Sequence, residues 1–327
     1  MNSEQVAEAT DTLADVLKTI RLSGSAYFCS DFTSPWGMDI AAGVEGMFHV
    51  VINGSCYLQL DKSDEIISLQ QGDIVAFPTG GAHWLSDDEK SPRLAGEEVV
   101  GNIIAGNNPF SPSESAKNSD ASNNSASNSS TLLCGSFSYD QSIKHPFLND
   151  LPCFIHIEAS QTPQLEWLRG LVKVLSNETK NPSPASSLMV DRLSEILFIQ
   201  LIRHHMQLLM KSGDRDMGYM TALNDVHIGK ALNLIHGEQD AVLTVERLAD
   251  AVALSRTAFS EKFSKMVGMT AKSYLLNWRM QRAKIHLQEA NIKMLAVAEN
   301  AGYASEASFS KAFKSFFSLT PGQFRKK

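Results

Sequence analysis

Hydrophobic and polar residues alternate over short runs in the first half of the chain, which is the period of a β-strand with one buried face. Turns rich in glycine, asparagine, aspartate and proline separate the runs, as at Asn53-Gly54 and Gln71-Gly72-Asp73. A helical period precedes them and ends near Leu22. The alternation predicts strands over residues 26–32, 47–52, 55–60, 65–69, 74–77 and 131–139. Many short strands with regular turns favour a sandwich or a barrel.

From residue 164 the hydrophobic positions recur at helical spacing. One stripe runs from Leu165 to Leu175, a break covers 177–186, and a second stripe runs from Leu188 to Leu201. Such a pair of helices can cover the barrel or a second subunit, and the stripes fit either. Residues 214–224 are then expected to form a linker into a helix over 226–236.

The most informative pattern is a unit that occurs twice, fifty residues apart. Matching positions carry the same residue in Ser255 and Ser305, Phe259 and Phe309, Phe263 and Phe313, and Thr270 and Thr320. In each copy the serine can cap a helix whose phenylalanines share one face. A shorter helical stretch precedes each copy, and Gly302 suits the left-handed position that ends the second stretch. Two helices joined by a tight turn describe a helix-turn-helix, so the chain is expected to carry two.

Residues 271–289, between the two copies, also have helical spacing. One continuous helix would hold two recognition helices so that they reach successive major grooves, about 34 Å apart. Charge supports this interpretation, because residues 241–327 hold 14 Lys+Arg against 6 Asp+Glu, a net of +8, while the whole chain carries −7. A basic domain in an acidic chain is typical of nucleic-acid binding.

At these residues the chain resembles the AraC/XylS family of transcriptional regulators. The resemblance covers about the last hundred residues and includes Gly302-Tyr303, Phe313-Lys314, Thr320-Pro321 and Phe324-Arg325. It implies a sequence-specific regulator that binds double-stranded DNA and RNA polymerase, and that activates, since the family activates more often than it represses. It also favours a homodimer. An ordinary helical bundle with a phenylalanine core explains neither the duplication nor the charge.

The resemblance further implies that the face of each recognition helix opposite the phenylalanines meets DNA bases. The positions on that face are Arg256, Thr257, Ser260 and Glu261 in the first helix and Glu306, Ala307, Ser308 and Lys311 in the second. Lys314 and Arg279 are expected to contact phosphate. Because Lys311 matches Glu261, we expect the second unit to supply more affinity and the first more discrimination.

Residues 72–83 look like the second motif of the cupin barrel, ending on His83. The first motif is partial: His49 is present, but Val51 stands where the second histidine would be and the glutamate is missing. Catalytic cupins hold a metal with about three or four side chains. We therefore expect a sensor without catalytic residues, and the alternative is a cupin-type metalloenzyme with a helical appendage.

The N-terminal half resembles the branch of the family that responds to reactive chlorine, and Cys29, His49, His83 and Cys134 fall at matching places. In those relatives, cysteines at positions like Cys29 and Cys134 are regarded as an oxidant switch that closes as a disulfide. The same four side chains can instead hold a tetrahedral zinc ion, the one cofactor considered. A third interpretation makes both cysteines small buried core residues. The effector itself is not identified by the sequence.

These patterns predict an α+β chain in three parts. Residues 1–160 form a cupin-like β-barrel sensor with a disordered insertion at 107–130, residues 161–224 a helical extension for dimerisation and a linker, and residues 225–327 an all-α DNA-binding domain with two helix-turn-helix units. The chain shows neither a signal peptide nor the roughly 18 apolar residues of a membrane span. We therefore expect a cytoplasmic protein with no membrane partner, whose four cysteines are thiols.

Overall fold

The computed structural model describes residues 11–111, 129–140, 143–160, 166–212, 217–237, 243–288 and 292–325. The strands are β1 (Ser23–Thr33), β2 (Gly37–Ile40), β3 (Gly46–Asn53), β4 (Ser55–Leu60), β5 (Ile66–Gln70), β6 (Ile74–Phe77), β7 (His83–Ser86), β8 (Leu94–Ala95), β9 (Ser129–Ser138) and β10 (Ile155–Ile157). The helices are α1 (Thr12–Thr19), α2 (Gly96–Ile104), α3 (Pro146–Asn149), α4 (Glu166–Lys180), α5 (Ser186–Ser212), α6 (Tyr219–Asn224), α7 (Ile228–Gly237), α8 (Val245–Ala251), α9 (Arg256–Val267), α10 (Ala271–Gln288), α11 (Met294–Asn300), α12 (Glu306–Phe317) and α13 (Pro321–Arg325).

Contacts divide the chain into two compact units. The barrel unit comprises Leu22–Tyr139 and Leu151–Leu208, and the reader unit comprises Met1–Arg21, Asp140–Asp150 and Leu209–Lys327. The N-terminal helix and the segment after β9 therefore group with the C-terminal helices. The division into three parts by sequence stays a prediction.

The barrel unit is built from two five-stranded sheets, in the orders β1-β9-β3-β6-β10 and β5-β4-β7-β2-β8. Every strand predicted from alternation is present. Four further strands, β2, β7, β8 and β10, were not predicted, because each has four residues or fewer and lacks the four-residue apolar run that marks β6. The mixed α+β fold class is confirmed.

The core of the barrel unit lies between the two sheets. Phe32, Trp36 and Phe77 are fully buried there, and the Phe32 ring centroid lies 5.2 Å from those of Trp36 and Phe110. Each such side chain stabilises the fold by roughly 1.5–3 kcal/mol through burial. Phe110 falls inside the predicted disordered insertion, so that prediction is wrong for this residue. Residues 112–128 of the insertion lie outside the described residues.

The helical stripes correspond to α4 and α5, although Leu165 itself lies outside the described residues. The predicted linker over 214–224 contains a helix that the sequence did not reveal, because residues 219–224 form α6 with Tyr219 and Met220 buried. Six residues are too few to show a helical period. Within the described ranges, no helix has the length and apolar character that a bilayer span requires.

A buried polar network holds the reader unit together around Tyr274 of α10. Its hydroxyl lies 2.6 Å from the Tyr219 hydroxyl, 2.8 Å from His236 Nε2 and 3.3 Å from His145 Nε2. On the other side of the His236 ring, Nδ1 lies 3.7 Å from the Asp15 carboxylate of α1. The network thus joins α1, α6, α7 and the segment before α3 to the helix that connects the two predicted helix-turn-helix units.

Candidate nucleic-acid interface and sensor site

The first helix-turn-helix consists of α8 and α9. The Ser255 side chain accepts a hydrogen bond from the Ala258 amide and so caps α9, as predicted. Phe259 and Phe263 are completely buried, which leaves the opposite face of α9 toward solvent. The helix ends at Gly268 in the left-handed conformation, with φ of 78°.

The second helix-turn-helix consists of α11 and α12 and repeats this construction. Ser305 caps α12 by accepting from the Ser308 amide, and Phe309 and Phe313 are completely buried. Gly302 in the turn has φ of 84°, the left-handed conformation predicted for it. The phenylalanines are therefore core residues, and they orient the polar face of each recognition helix outward.

The positions predicted to face bases are exposed on α9 and α12, except Ser260, which is half-buried. Arg256 forms an ion pair with Glu246 of α8, at 2.9 Å. Both side chains are more than half exposed, so water screens the pair and Arg256 can exchange it for a DNA contact at little cost. Base contact by these residues stays a prediction, as does phosphate contact by the exposed Lys314.

Arg279, the other expected phosphate contact, also makes contacts within the reader unit, and its contact with phosphate stays a prediction. Its side chain is half-buried, and its guanidinium donates to the Leu243 carbonyl at 3.3 Å, just before α8. It also lies against Gly302, where an added Cβ would be 3.3 Å from Arg279 Nη1. Arg279 therefore bridges the two helix-turn-helix units within the reader unit. The missing side chain of Gly302 makes room for the bridge.

Three of the four predicted sensor residues form a relay across the barrel. His49 Nδ1 lies 3.0 Å from Cys134 Sγ, and His49 Nε2 lies 2.9 Å from His83 Nε2. His83 Nδ1 lies 2.8 Å from the Gly81 carbonyl, which can only accept. His83 therefore donates through Nδ1 and accepts at Nε2 from His49. His49 Nδ1 is then an acceptor, and the Cys134 thiol donates to it.

Burial keeps this relay neutral. Desolvation lowers the pKa of His49 well below its ordinary value, and the neighbouring His83 lowers it further. Desolvation also lowers the pKa of His83 to about 4. Burial raises the pKa of the Cys134 thiol well above its ordinary value. Near neutral pH the relay therefore consists of a thiol and two uncharged imidazoles. Each of their polar atoms has a hydrogen-bond partner.

Cys29 is not part of the relay. In the β1–β9 pairing Cys134 lies opposite Phe28 and Cys29 lies opposite Leu133, so the two cysteines point to opposite faces of the sheet. Cys29 borders an outer cavity of about 760 Å³ beside Lys180, and burial raises its pKa to about 11. A direct disulfide between the two therefore needs backbone movement.

The opposite orientation does not fit the alternative of a four-ligand zinc site, because Cys29 points away from the other three side chains. In the part of the chain that the structure describes, no group of three or more His, Cys, Asp or Glu residues is arranged to hold a metal ion. The partial first cupin motif agrees with this, since Val51 is a buried apolar residue. All four cysteines lie in the described part of the chain, and none of them is in a disulfide.

An inner cavity of about 640 Å³ leads to the relay, a feature that the sequence did not reveal. Its lining residues come from six elements and one loop and are Tyr27, Phe28, Met38, Asp39, Ile40, Ala41, Ala42, Gly43, Val44, Glu45, Met47, His49, Ala95, Gly96, Glu97, Val100, Gly101, Cys134 and Gly135. Gly135 is required here, because a Cβ at this position would clash with the Ser25 carbonyl and the Phe48 ring. His49 and Cys134 thus face a space large enough for a small molecule.

Comparisons with known proteins match both halves of the chain. A cupin model matches residues 11–207, and a helix-turn-helix domain model matches residues 248–327. The HTH-type transcriptional regulator AlkR of Acinetobacter baylyi is 29% identical over 96% of this chain and 99% of its own length. The RCS-specific HTH-type transcriptional activator RclR of Escherichia coli is 23% identical over 90% of this chain and 89% of its own length.

Among solved structures, the C-terminal domain of the two-component response regulator yesN from Fusobacterium nucleatum is 31% identical. It covers 30% of this chain and 95% of that chain, with a TM-score of 0.29. The two full-length relatives are named as transcriptional regulators, so the metalloenzyme alternative gains no support from them.

Proposed function

We propose that the protein is a homodimeric activator that reads a two-part DNA site. The chain belongs to the AraC/XylS family of transcriptional regulators, with a cupin domain before its helix-turn-helix domain. Its general function is sequence-specific DNA binding that regulates transcription. The observation that carries the proposal is the pair of capped recognition helices at the two ends of α10.

The length of α10 suits this use. Its 18 residues span about 27 Å, and the units that it joins can therefore address major grooves about 34 Å apart on one face of the duplex. The net charge of +8 over residues 241–327 attracts the phosphate backbone. The exposed residues of α9 and α12 would then read base edges.

DNA footprinting on sites recovered by genome-wide immunoprecipitation tests this proposal. We expect each bound protomer to give two protected segments, about one helical turn apart, on one face of the duplex. Replacing Lys314, an expected phosphate contact, with alanine should weaken binding to cognate and random DNA equally and reduce the salt dependence. A single protected segment per protomer would contradict the use of both helix-turn-helix units.

Exposed apolar side chains on α4 and α5 support the homodimer. Trp167 and Val174 on α4 are 45% and 44% exposed, and Met189 and Ile196 on α5 are 44% and 40% exposed. Each pair is seven residues apart and so lies on one face of its helix. We expect Ile196→Glu to convert a dimer to a monomer in light scattering, with Ser187→Glu, an exposed position on the opposite face of α5, as the control. A parent chain that is already monomeric would overturn this part of the proposal.

Activation requires contact with RNA polymerase, and support for it comes from the name of the relative RclR as an activator. In vitro transcription from a bound promoter tests the direction of regulation. We expect the purified protein to raise transcript yield, and a lower yield at saturated DNA would make it a repressor.

We propose that the inner cavity is where the cupin domain reads its signal, because His49 and Cys134 face it. Oxidant sensing by Cys134 is a second candidate function of the cavity, since Cys134 lines it and donates to His49. Burial raises the pKa of the thiol, so the reaction is expected to be slow until the site opens. A two-electron oxidant such as hypochlorous acid would convert the thiol to a sulfenic acid and release a proton and chloride. We expect Cys134→Ser to abolish an oxidant response in reporter transcription and Cys29→Ser to retain it. Loss of the response in both variants would instead support a disulfide formed after backbone movement.

A further inference from the structure

The inner cavity has an apolar wall, a floor whose polar groups are already paired and an acidic rim. We infer that it binds an amphipathic organic cation, with the hydrocarbon part inside and the positive group at the rim. This inference rests on the proposed role of the cavity in reading the signal. It names the chemical class of ligand that the cavity selects.

The wall favours a hydrocarbon group. Phe28, Met38, Ile40, Met47 and Val100 contribute side chains to it, and the glycines of the lining add no polar side chain. Burial of apolar surface stabilises a complex by about 25 cal/mol per Å² before the cost of association. A volume of about 640 Å³ is within the range of small-molecule sites.

The floor determines which end of the ligand enters first. Cys134 donates to His49, His49 donates to His83, and His83 donates to the Gly81 carbonyl. The buried side-chain polar atoms that lack a partner in the described structure include none from this relay. A polar ligand group at the floor would lose its water without gaining a free partner, which is unfavourable. The hydrocarbon end therefore points inward.

The rim determines the charge of the other end. Asp39, Glu45 and Glu97 line the cavity, and its described lining contains no lysine or arginine. Arg93 lies 4.0 Å from Asp39 and partly compensates it, whereas Glu45 lies 3.5 Å from the Tyr27 hydroxyl, which carries no charge. His49 is neutral and gives an anion no counter-charge. The N-terminus of α2 also lines the cavity and contributes about half a positive charge, which is less than the charge of the two carboxylates. A cation is thus attracted to Glu45 and Glu97, and an anion is repelled.

Three probes of equal chain length test the charge preference: octylamine, which is protonated at pH 7, octanol and octanoate. Titration calorimetry of the full-length protein should give about tenfold tighter binding of octylammonium than of octanol, equivalent to about 1.4 kcal/mol. Octanoate should bind at least tenfold more weakly than octanol. Octanoate affinity equal to that of octylammonium, or no binding of octylammonium, would overturn the inference.

Variants of the rim and wall locate the binding. The double change Glu45→Gln and Glu97→Gln should remove the tenfold preference for octylammonium and leave octanol affinity unchanged. Glu98→Gln is the matched control, because Glu98 is the neighbour of Glu97 on α2 but does not line the cavity. Gly101→Phe should abolish binding of both probes. An added Cβ at Gly101 meets no atom within 4 Å, so this variant is expected to fold.

DNA binding by the same proteins separates this inference from the proposed function. Each variant is tested without probe on a recovered genomic site. If all bind DNA but the parent binds no octylammonium, the ligand class is wrong and the regulator stands. If the parent binds octylammonium but no DNA site is found, the proposed function fails while the cavity assignment holds. Unchanged octylammonium binding in Gly101→Phe would show that the probe binds elsewhere, and the inference would be overturned.

Discussion

Replacing Gly302 with alanine tests whether the turn of the second helix-turn-helix and Arg279 act together. Gly268 is a matched control, because both glycines are left-handed, with φ of 84° and 78°. Alanine in this conformation costs roughly 1 kcal/mol at either position. An added Cβ at Gly268 meets open space, whereas at Gly302 it lies 3.3 Å from Arg279 Nη1 and 3.4 Å from Cζ.

The contact of the added Cβ at position 302 with Arg279 sets the expected difference in stability between the two variants. Moving the guanidinium breaks its hydrogen bond to the Leu243 carbonyl, a loss of about 1 kcal/mol. Urea denaturation of the full-length protein should therefore show about 2 kcal/mol of destabilisation for Gly302→Ala and about 1 kcal/mol for Gly268→Ala. In an Arg279→Ala background the two should become equal. Equal effects in the parent background would refute the proposed bridge, and so would a difference that persists without Arg279.

Three further predictions concern DNA readout, pH and signal transfer. Lys311→Ala should cost about 1–3 kcal/mol at the cognate site and relax specificity there; equal weakening on random DNA in band-shift assays would make Lys311 a phosphate contact. Because burial lowers the folded-state pKa of His83 to about 4, the unfolded chain binds more protons between that pH and 6.5, so stability should fall as the pH falls through this window. His83→Gln should reduce the dependence of stability on pH in denaturation experiments. An unchanged dependence would contradict the lowered pKa of His83. We expect octylammonium in the inner cavity to change DNA affinity, because the cavity is proposed to read the signal. Lys284→Met removes the 3.0 Å contact of Lys284 with Asp140, and should preserve DNA affinity without probe but reduce this change; an undiminished change would exclude the contact from signal transfer.

The fold was predictable wherever a period repeats often enough. The strand over 55–60 has the predicted bounds, and the recognition helices begin at the predicted serine caps. Short elements such as β8, with two residues, and α6, with six, give no period and were missed. Phe110 was assigned to a disordered insertion because its neighbours are polar, but one aromatic ring was enough to join the core.

The sensor site was predictable only in part. The resemblance identified His49, His83 and Cys134, which the structure brings into hydrogen-bonding distance. It also grouped Cys29 with them, but Cys29 lies on the other face of the sheet. The register of β1 against β9 determines this, since a shift of one residue would move each side chain of β1 to the opposite face. The direction of the relay depends on the Gly81 carbonyl, and the acidic rim combines residues from β2, a loop and α2. No local pattern in the sequence contains that information.

Chain continuity links the relay to the DNA-reading helices. β9 carries Cys134 and pairs with both β1 and β3, and within a few residues it leads to Asp140, whose carboxylate binds Lys284 of α10. β1 follows directly on α1, whose Asp15 lies 3.7 Å from His236 of the Tyr274 network. β1 and β9 both contribute side chains to the inner cavity. Each is therefore continuous with a segment that binds a helix of the reader unit, β1 with α1 and β9 with Asp140. A ligand that changes the distance between β1 and β9 would displace both α1 and Asp140 at once. Such a displacement regulates DNA binding only if the protein has different DNA affinities before and after it. Breaking the Asp140–Lys284 contact tests whether that difference in DNA affinity depends on it. Neither residue lines the cavity or lies on α9 or α12, so the change alters no residue of the cavity or of the recognition helices.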